Sequence, residues 1–260
     1  MSEWNVERVA TTLLEAETSR TDRGPITDEW PGLDLAAGYA AQDLLLRRKQ
    51  DAGEHIIGVK LGLTSRAKQQ RMGIDSPLTG WLTDAMVLPA GVPVPQGELI
   101  HPRAEPEIVF VLGRPLRGPG VTAATAMAAV ESVWAGVEVI DSRYKDFTFT
   151  LPDVVADNAS SARFVLGPVG RRPEELDLGL EACLLEVDGA IVESATGAAV
   201  QGHPAEALAL AANDLGRRGV TLEAGWLVLT GGMTDAVFIE PGHTVAAHFT
   251  SLGSVVLQGG

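Results

Sequence analysis

The sequence predicts an α+β fold, with a small helical N-terminal region over residues 1–55 and a mixed β-roll over residues 56–260. Apolar residues recur at helical spacing before Ile56, and afterwards the texture changes to short β-rich runs between glycine and proline turns. Helical stretches in the second part are too few to alternate with its strands, which argues against a doubly wound parallel sheet.

The first helix is signalled by Val6, Val9, Leu13 and Leu14, with Ser2 as its expected cap. A turn-rich link over 18–32 follows, punctuated by Pro25 and Pro31. Asp34 is placed to cap a second helix that runs toward Lys49; Arg47, Arg48 and Lys49 complement its C-terminal dipole, and Gly53 stops it. Strands are expected over 56–61, 105–112, 135–140, 163–166, 182–188, 226–230, 244–249 and 254–257. Two further helices are expected, one over 122–134 with Thr122 as cap and one from His203-Pro204 to about Leu215.

Composition excludes several classes. A formal charge of −14 over 260 residues leaves no basic stripe for nucleic acid or an anionic membrane. The runs Arg47-Arg48-Lys49 and Arg171-Arg172 read as solvated surface or a helix end. The single cysteine, Cys183, excludes an internal disulfide and a multi-cysteine zinc site, and its apolar strand context reads as core packing. With no apolar leader and no membrane-spanning run, a cytoplasmic protein is expected.

Glu105 and Glu107 sit in the most apolar strand-like run, Ala-Glu-Pro-Glu-Ile-Val-Phe-Val-Leu (104–112), and Glu138 sits in another, Val-Trp-Ala-Gly-Val-Glu-Val-Ile (133–140). Side chains two apart on a strand share a face, so Glu105 and Glu107 point the same way. An isolated Glu-x-Glu most often lies on a solvated strand face. Here Val109 and Val111 continue that face while Ile108, Phe110 and Leu112 line the other, the pattern of a strand buried on both sides. Buried carboxylates need a cation or strong donors, and three hard oxygen ligands suit Mg²⁺ or Mn²⁺.

Lys60, inside Ile-Ile-Gly-Val-Lys-Leu-Gly-Leu-Thr (56–64), has two readings: a lysine that snorkels to the surface, or one held at an active site to bind a carboxylate or move a proton. The polar stretch 153–161 reads first as turn chemistry, and Ser160 and Ser161 are also placed to grip a substrate carboxylate. Nucleophile-elbow, phosphate-loop and dinucleotide fingerprints are missing, and the histidines lack zinc-site spacing; His101 and His203, each before proline, read as structural.

Four ordered motifs now matter together: Gly-Val-Lys-Leu-Gly-Leu-Thr-Ser (58–65), Ala-Glu-Pro-Glu-Ile (104–108), Val-Glu-Val-Ile-Asp-Ser-Arg (137–143) and Val-Ala-Asp-Asn-Ala-Ser-Ser (155–161). In order and spacing the chain resembles the 4-oxalocrotonate decarboxylase and 2-oxopent-4-enoate hydratase family of the fumarylacetoacetate hydrolase superfamily. The resemblance spans nearly the whole chain, including Leu-Thr-Gly-Gly (229–232) and Leu-Gly-Ser-Val (252–255). It implies a β-roll catalytic domain of that type over 56–260. It also implies Mg²⁺ or Mn²⁺ on Glu105, Glu107 and Glu138, an active-site lysine at Lys60, and substrate contacts at Ser160 and the Leu61 backbone.

Within the resemblance, Gly-Ile-Asp-Ser-Pro-Leu-Thr-Gly (73–80) carries Leu78 where hydratases tend to have an acid, and 100–103 and 140–147 look like the decarboxylase branch. Gly225-Trp226 departs from the usual Gly-Asp of both branches. The implied activity is metal-dependent decarboxylation of 2-oxohex-3-enedioate, a small 2-oxo dicarboxylic acid, with Leu78 in an apolar substrate wall. Hydration of 2-hydroxypenta-2,4-dienoate and a non-catalytic, partner-stabilising subunit are the alternatives. The resemblance further implies a homo-oligomer and association with a partner hydratase in aromatic meta-cleavage catabolism.

Overall fold

In the computed structural model the chain is described over residues 3–65, 69–70 and 77–260. The elements in order are α1 (Val6–Ser19), α2 (Ile26–Glu29), α3 (Leu35–Asp51), β1 (Ile56–Gly62), β2 (Leu78–Thr83), β3 (Arg103–Leu112), α4 (Ala123–Met127), β4 (Val130–Ile140), α5 (Leu151–Ala156), β5 (Ser161–Arg171), β6 (Ala182–Val187), β7 (Ala190–Thr196), α6 (Pro204–Arg217), β8 (Leu227–Leu229), β9 (Val237–Phe238), β10 (Thr244–Phe249) and β11 (Gly253–Gln258). The fold is α+β, with a helical N-terminal region leading into mixed sheets.

The N-terminal helices bury Val9, Leu13, Ile26 and Leu45 in a cluster that also takes in Tyr144 and Ala156. Asn5 caps α1 through a bond from the Arg8 N–H (2.9 Å), and Ser2 lies outside the described residues. Asp34 caps α3 as expected, accepting from the Ala37 N–H at 2.8 Å. Lys49 near the end of α3 pairs with Glu17 of α1 at 2.6 Å. Polar bonds then dock these helices on the rest of the protein. Buried Gln42 donates to the Thr79 and Val155 carbonyls, and Asp153 at the start of α5 accepts from the backbone and hydroxyl of Thr27.

The larger sheet runs β2-β1-β8-β3-β4-β5, with β9 added to β3, and the smaller runs β11-β10-β6-β7. The β1–β8 pair is parallel and the other pairs are antiparallel. One apolar cluster joins Ile108 and Phe110 of β3, Leu185 of β6, Val255 of β11 and Leu208 of α6. Trp226 packs edge-on against Trp81 with ring centres 6.2 Å apart, so the Gly-Trp departure serves packing between β8 and β2.

Three differences from the sequence expectations have physical causes. The helix expected over 122–134 stops at Met127, because the β-branched and aromatic residues from Val130 onward pair along the whole of β3. Its expected cap holds: Thr122 and Thr125 form a reciprocal capping box. A hairpin partner, β7, follows β6 through Asp188-Gly189, both at positive φ (49° and 85°), the backbone of a tight hairpin turn. β2 was also not among the expected strands, and it is buried along its full length.

Cys183 is fully buried in β6, and burial together with nearby Glu181 pushes its thiol up to about 12. A maleimide or disulfide reagent at mildly alkaline pH is therefore expected to leave the native protein unlabelled and to label it stoichiometrically on unfolding in denaturant. Rapid labelling of the native protein would contradict this burial.

Candidate active site

The β3–β4 register sets Glu105 directly opposite Glu138, with Glu107 two residues along the same face and opposite Gly136. Carboxylate oxygens of the three residues lie within 4.8 Å of one another. Glu107 and Glu138 are fully buried and Glu105 is partly so. Like charges directly opposite on a sheet destabilise it, so this arrangement needs compensation.

Part of the compensation comes from the chain leaving β8. Thr230 donates its N–H (3.2 Å) and hydroxyl (2.7 Å) to the Ile108 carbonyl, and the Met233 N–H bonds to Pro106 at 2.9 Å. Between these anchors the Gly231 N–H donates to Glu107 Oε2 at 2.7 Å. Only glycine fits there: φ is +108°, and a Cβ would lie 2.1 Å from Thr64 Oγ1.

Lys60 supplies positive charge. In register, Lys60 faces Leu229 of β8, which faces Val109 of β3, so its side chain shares the face of the carboxylates. Its ammonium is buried, 3.0 Å from Glu138 Oε2 and 2.9 Å from the Ala159 carbonyl. This is the buried alternative, and the surface-snorkelling reading is set aside by position. Burial lowers the Lys60 pKa, but the Glu138, Glu105 and Glu107 carboxylates together outweigh it and raise it. Glu107 is held well above the usual carboxylate range, first by burial and then by Glu138. Lys60 brings one positive charge to three carboxylates, and Glu107 Oε1 and Glu138 Oε1 are buried without a hydrogen-bond partner among the described residues. A hard divalent cation fits this donor set.

The cavity beside these groups is lined by Lys60, Leu61, Gly62, Glu105 and Ser160. Leu78, Ile140, Phe149 and Val154 give it an apolar wall, and Leu78 packs in a buried cluster with Val154 and Val155. Ser160 Oγ is buried and has no partner among the described residues. Ser161 instead turns toward the Met86 sulfur at 3.8 Å and is absent from the cavity lining. Residues 73–76 of the 73–80 motif that contains Leu78 lie outside the described residues. His101 and His203 are structural: His101 stacks on Phe147, and His203 caps α6 by accepting from the Ala205 N–H.

Sequence reasoning missed the residues that hold the Ser160 loop. Asn158, Ala159 and Ser160 all have left-handed backbone (φ 50°, 51° and 58°), at a cost of roughly 1–2 kcal/mol for each non-glycine residue. Ahead of them, buried Asp157 is gripped by Arg143, whose Nε bonds to Asp157 Oδ1 while its backbone N–H bonds to Oδ2 at 3.1 Å. Arg143 also donates to the Asp141 and Asp157 carbonyls at 2.5 and 2.7 Å. Burial pushes the Asp157 carboxyl up to about 6 against the pull of Arg143, so the pair is ionised above that pH. Both residues lie inside the quoted motifs, and an arginine next to an apolar strand end was the available signal.

The family profile described as fumarylacetoacetate (FAA) hydrolase C-terminal matches residues 55–258. The chain is 42% identical to a 4-oxalocrotonate decarboxylase of Pseudomonas putida over 94% of its own length and 92% of that protein's. It is 37% identical to a 2-hydroxyhexa-2,4-dienoate hydratase of Comamonas testosteroni, covering 97% of each chain. The structure of 4-oxalocrotonate decarboxylase from Pseudomonas putida G7 complexed with magnesium and adipate superposes with a TM-score of 0.94 at 42% identity, over 97% of this chain and 96% of that one.

Removing one partner of the buried pair leaves an uncompensated charge. Arg143→Met is expected to lower unfolding stability by about 3–5 kcal/mol in urea denaturation. A loss below about 1 kcal/mol would mean that Asp157 is held by its other bonds alone.

Proposed function

The chain belongs to the fumarylacetoacetate hydrolase family, and from that premise we propose that it decarboxylates 2-oxohex-3-enedioate (4-oxalocrotonate) to 2-hydroxypenta-2,4-dienoate and CO₂. The observation that carries this is a cavity in which buried Lys60 and Glu105, the outermost acid of the carboxylate triad, meet an apolar wall. The decarboxylase relatives support it across nearly the full chain.

Glu105, Glu107 and Glu138 would hold Mg²⁺ or Mn²⁺, which when bound acts as a Lewis acid toward charge developing on the substrate's 2-oxo oxygen. The substrate is a vinylogous β-keto acid. Breaking the bond to the distal carboxylate sends its electron pair through the C3–C4 alkene toward that oxygen, and a proton then gives the dienol. No covalent nucleophile is required.

Lys60 Nζ faces the cavity as a charged ammonium. It binds the anionic substrate and is the group placed to donate a proton to the developing dienolate. Ser160 Oγ and the backbone at Leu61 receive the 2-oxo acid end. Leu78 and its apolar neighbours keep water from the distal carboxylate, which favours neutral CO₂ over the charged group. A hydratase is the second reading: hydratase relatives are 37% and 39% identical over nearly the whole chain, and such an activity would use the same carboxylates and lysine. The apolar Leu78 side chain offers no acid to activate water, which supports decarboxylation. A non-catalytic subunit would have no need to retain three acids around a buried lysine.

No helix among the described residues is long and apolar enough to cross a membrane. We further infer a homo-oligomer that associates with a partner hydratase in the cytoplasm, supported by the family resemblance.

Purified protein is expected to release CO₂ from freshly generated 2-oxohex-3-enedioate, to stop with chelator and to resume with Mg²⁺. Turnover that persists after metal depletion overturns the metal assignment, and hydration without CO₂ release moves the chain to the hydratase branch. Glu107→Gln is expected to abolish metal-dependent turnover and to weaken Mg²⁺ binding in calorimetry, with the fold retained by circular dichroism. Lys60→Ala is expected to lower kcat by about 10²-fold; a change confined to KM would make Lys60 a binding group only.

A further inference from the structure

A run of three left-handed residues holds only where its surroundings over-determine it. At 158–160 the Asn158 side chain supplies that constraint. Its Oδ1 accepts from the Trp81 N–H at 2.7 Å and its Nδ2 donates to the Trp81 carbonyl at 2.9 Å. Trp81 pairs with Val59 of β1 on one side, so the amide takes the place of a neighbouring strand on the other side of β2. The next residue, Ala159, turns its carbonyl onto Lys60 Nζ, and Ser160, whose buried hydroxyl has no partner among the described residues, then lines the cavity. Gly80 permits the close approach: a Cβ there would lie 2.7 Å from the Asn158 carbonyl oxygen and 3.0 Å from Lys60 Cδ.

The geometry points to Asn158 as a positioning residue whose clamp on the Trp81 backbone fixes the Ala159 carbonyl and Ser160 hydroxyl, and through them the place of the Lys60 ammonium. Asn158 is absent from the cavity lining and from the carboxylate triad. The inference rests on the reading of Lys60 as the group that serves the substrate, and it deepens that reading by naming what aims the lysine.

Asn158→Gly tests the clamp cleanly, because glycine adopts left-handed backbone without strain and lacks the amide. The variant is expected to lose kcat by about 10²-fold, the scale of a small misplacement of a catalytic group. Its Mg²⁺ affinity in calorimetry should stay within about twofold of wild type, since the triad sits on β3 and β4. In a Lys60→Ala background the same change should cost at least about threefold less than in wild type, because the lysine it aims is gone and only the part that passes through Ser160 remains. Wild-type kcat in Asn158→Gly overturns the proposal, and so does an equal loss in both backgrounds or a parallel loss of Mg²⁺ affinity.

Folding is checked by protection of Cys183. If the glycine variant exposes that thiol, Asn158→Asp, which keeps the acceptor for the Trp81 N–H, goes through the same cycle with the same outcomes. A wild-type protein that hydrates the dienoate without releasing CO₂ overturns the decarboxylase reading alone, and the cycle is then run on hydration. A crystal structure of Asn158→Gly reads the positioning independently of turnover: an Ala159 carbonyl moved off Lys60 supports it, and an unchanged contact overturns it.

Discussion

The pairing that sets Glu105 opposite Glu138 is the constraint from which the rest of the site follows. The period of a strand is two, so a one-residue slip of β3 would turn its carboxylates into the apolar cluster and bring Ile108 and Phe110 out of it. The hydrophobic pattern therefore fixes the register, and the register fixes the triad. The apolar residues on the far face of β3 position the acids as firmly as any polar contact does.

Once three acids share a face, the neighbouring elements must bring donors to it. β8 has only three residues, and its brevity matters. Leu229 completes the ladder between Lys60 and Val109, after which the chain turns away through Thr230 and Gly231. The turn delivers a backbone N–H to Glu107 and lets the lysine reach past β8 to Glu138 on β4, two strands beyond it in the sheet. A longer β8 would place a side chain in that path. Buried Glu107 and Glu138 carry a desolvation penalty of several kcal/mol each, which the Lys60 ammonium and the Gly231 amide offset only in part, since Glu107 Oε1 and Glu138 Oε1 have no hydrogen-bond partner among the described residues. That residual imbalance is a physical argument for a divalent cation that does not depend on resemblance.

The strands with strong apolar patterns, β1, β3, β6, β10 and β11, were legible in the sequence to within a few residues, as were α3 with its Asp34 cap and α6 after His203-Pro204. What was not legible arose from pairing or from turns. The Ala-rich stretch after Thr122 has local helical preference, and only the long ladder with β3 converts its second half to strand. The Asp188-Gly189 turn is a local hairpin signal, but exposed β7 shows no core pattern beside it. At the site, Glu105, Glu107, Glu138 and Lys60 stood out because charge is costly in apolar strands. Arg143, Asp157 and Asn158 were harder to see. Their partners are 14 residues away for the ion pair and 77 away for the Asn158 clamp, distances no local pattern reports.

The motifs therefore encode two tasks. Lys60 and Glu105 present charge to the cavity, with Glu107 and Glu138 grouped beside them. Arg143, Asp157 and Asn158 hold a loop in a backbone shape that it would not adopt alone. The division has a mechanistic reason. Decarboxylation of a vinylogous keto acid moves charge from one end of the substrate to the other, so a donor is useful only where charge arrives. Lys60 has four rotatable side-chain bonds and, left to itself, would spread its charge over the cavity. The Glu138 carboxylate on one side and the Ala159 carbonyl on the other restrict it. A rigid carbonyl does this better than a second carboxylate, because it accepts a hydrogen bond without adding another acid to a cluster that already holds three.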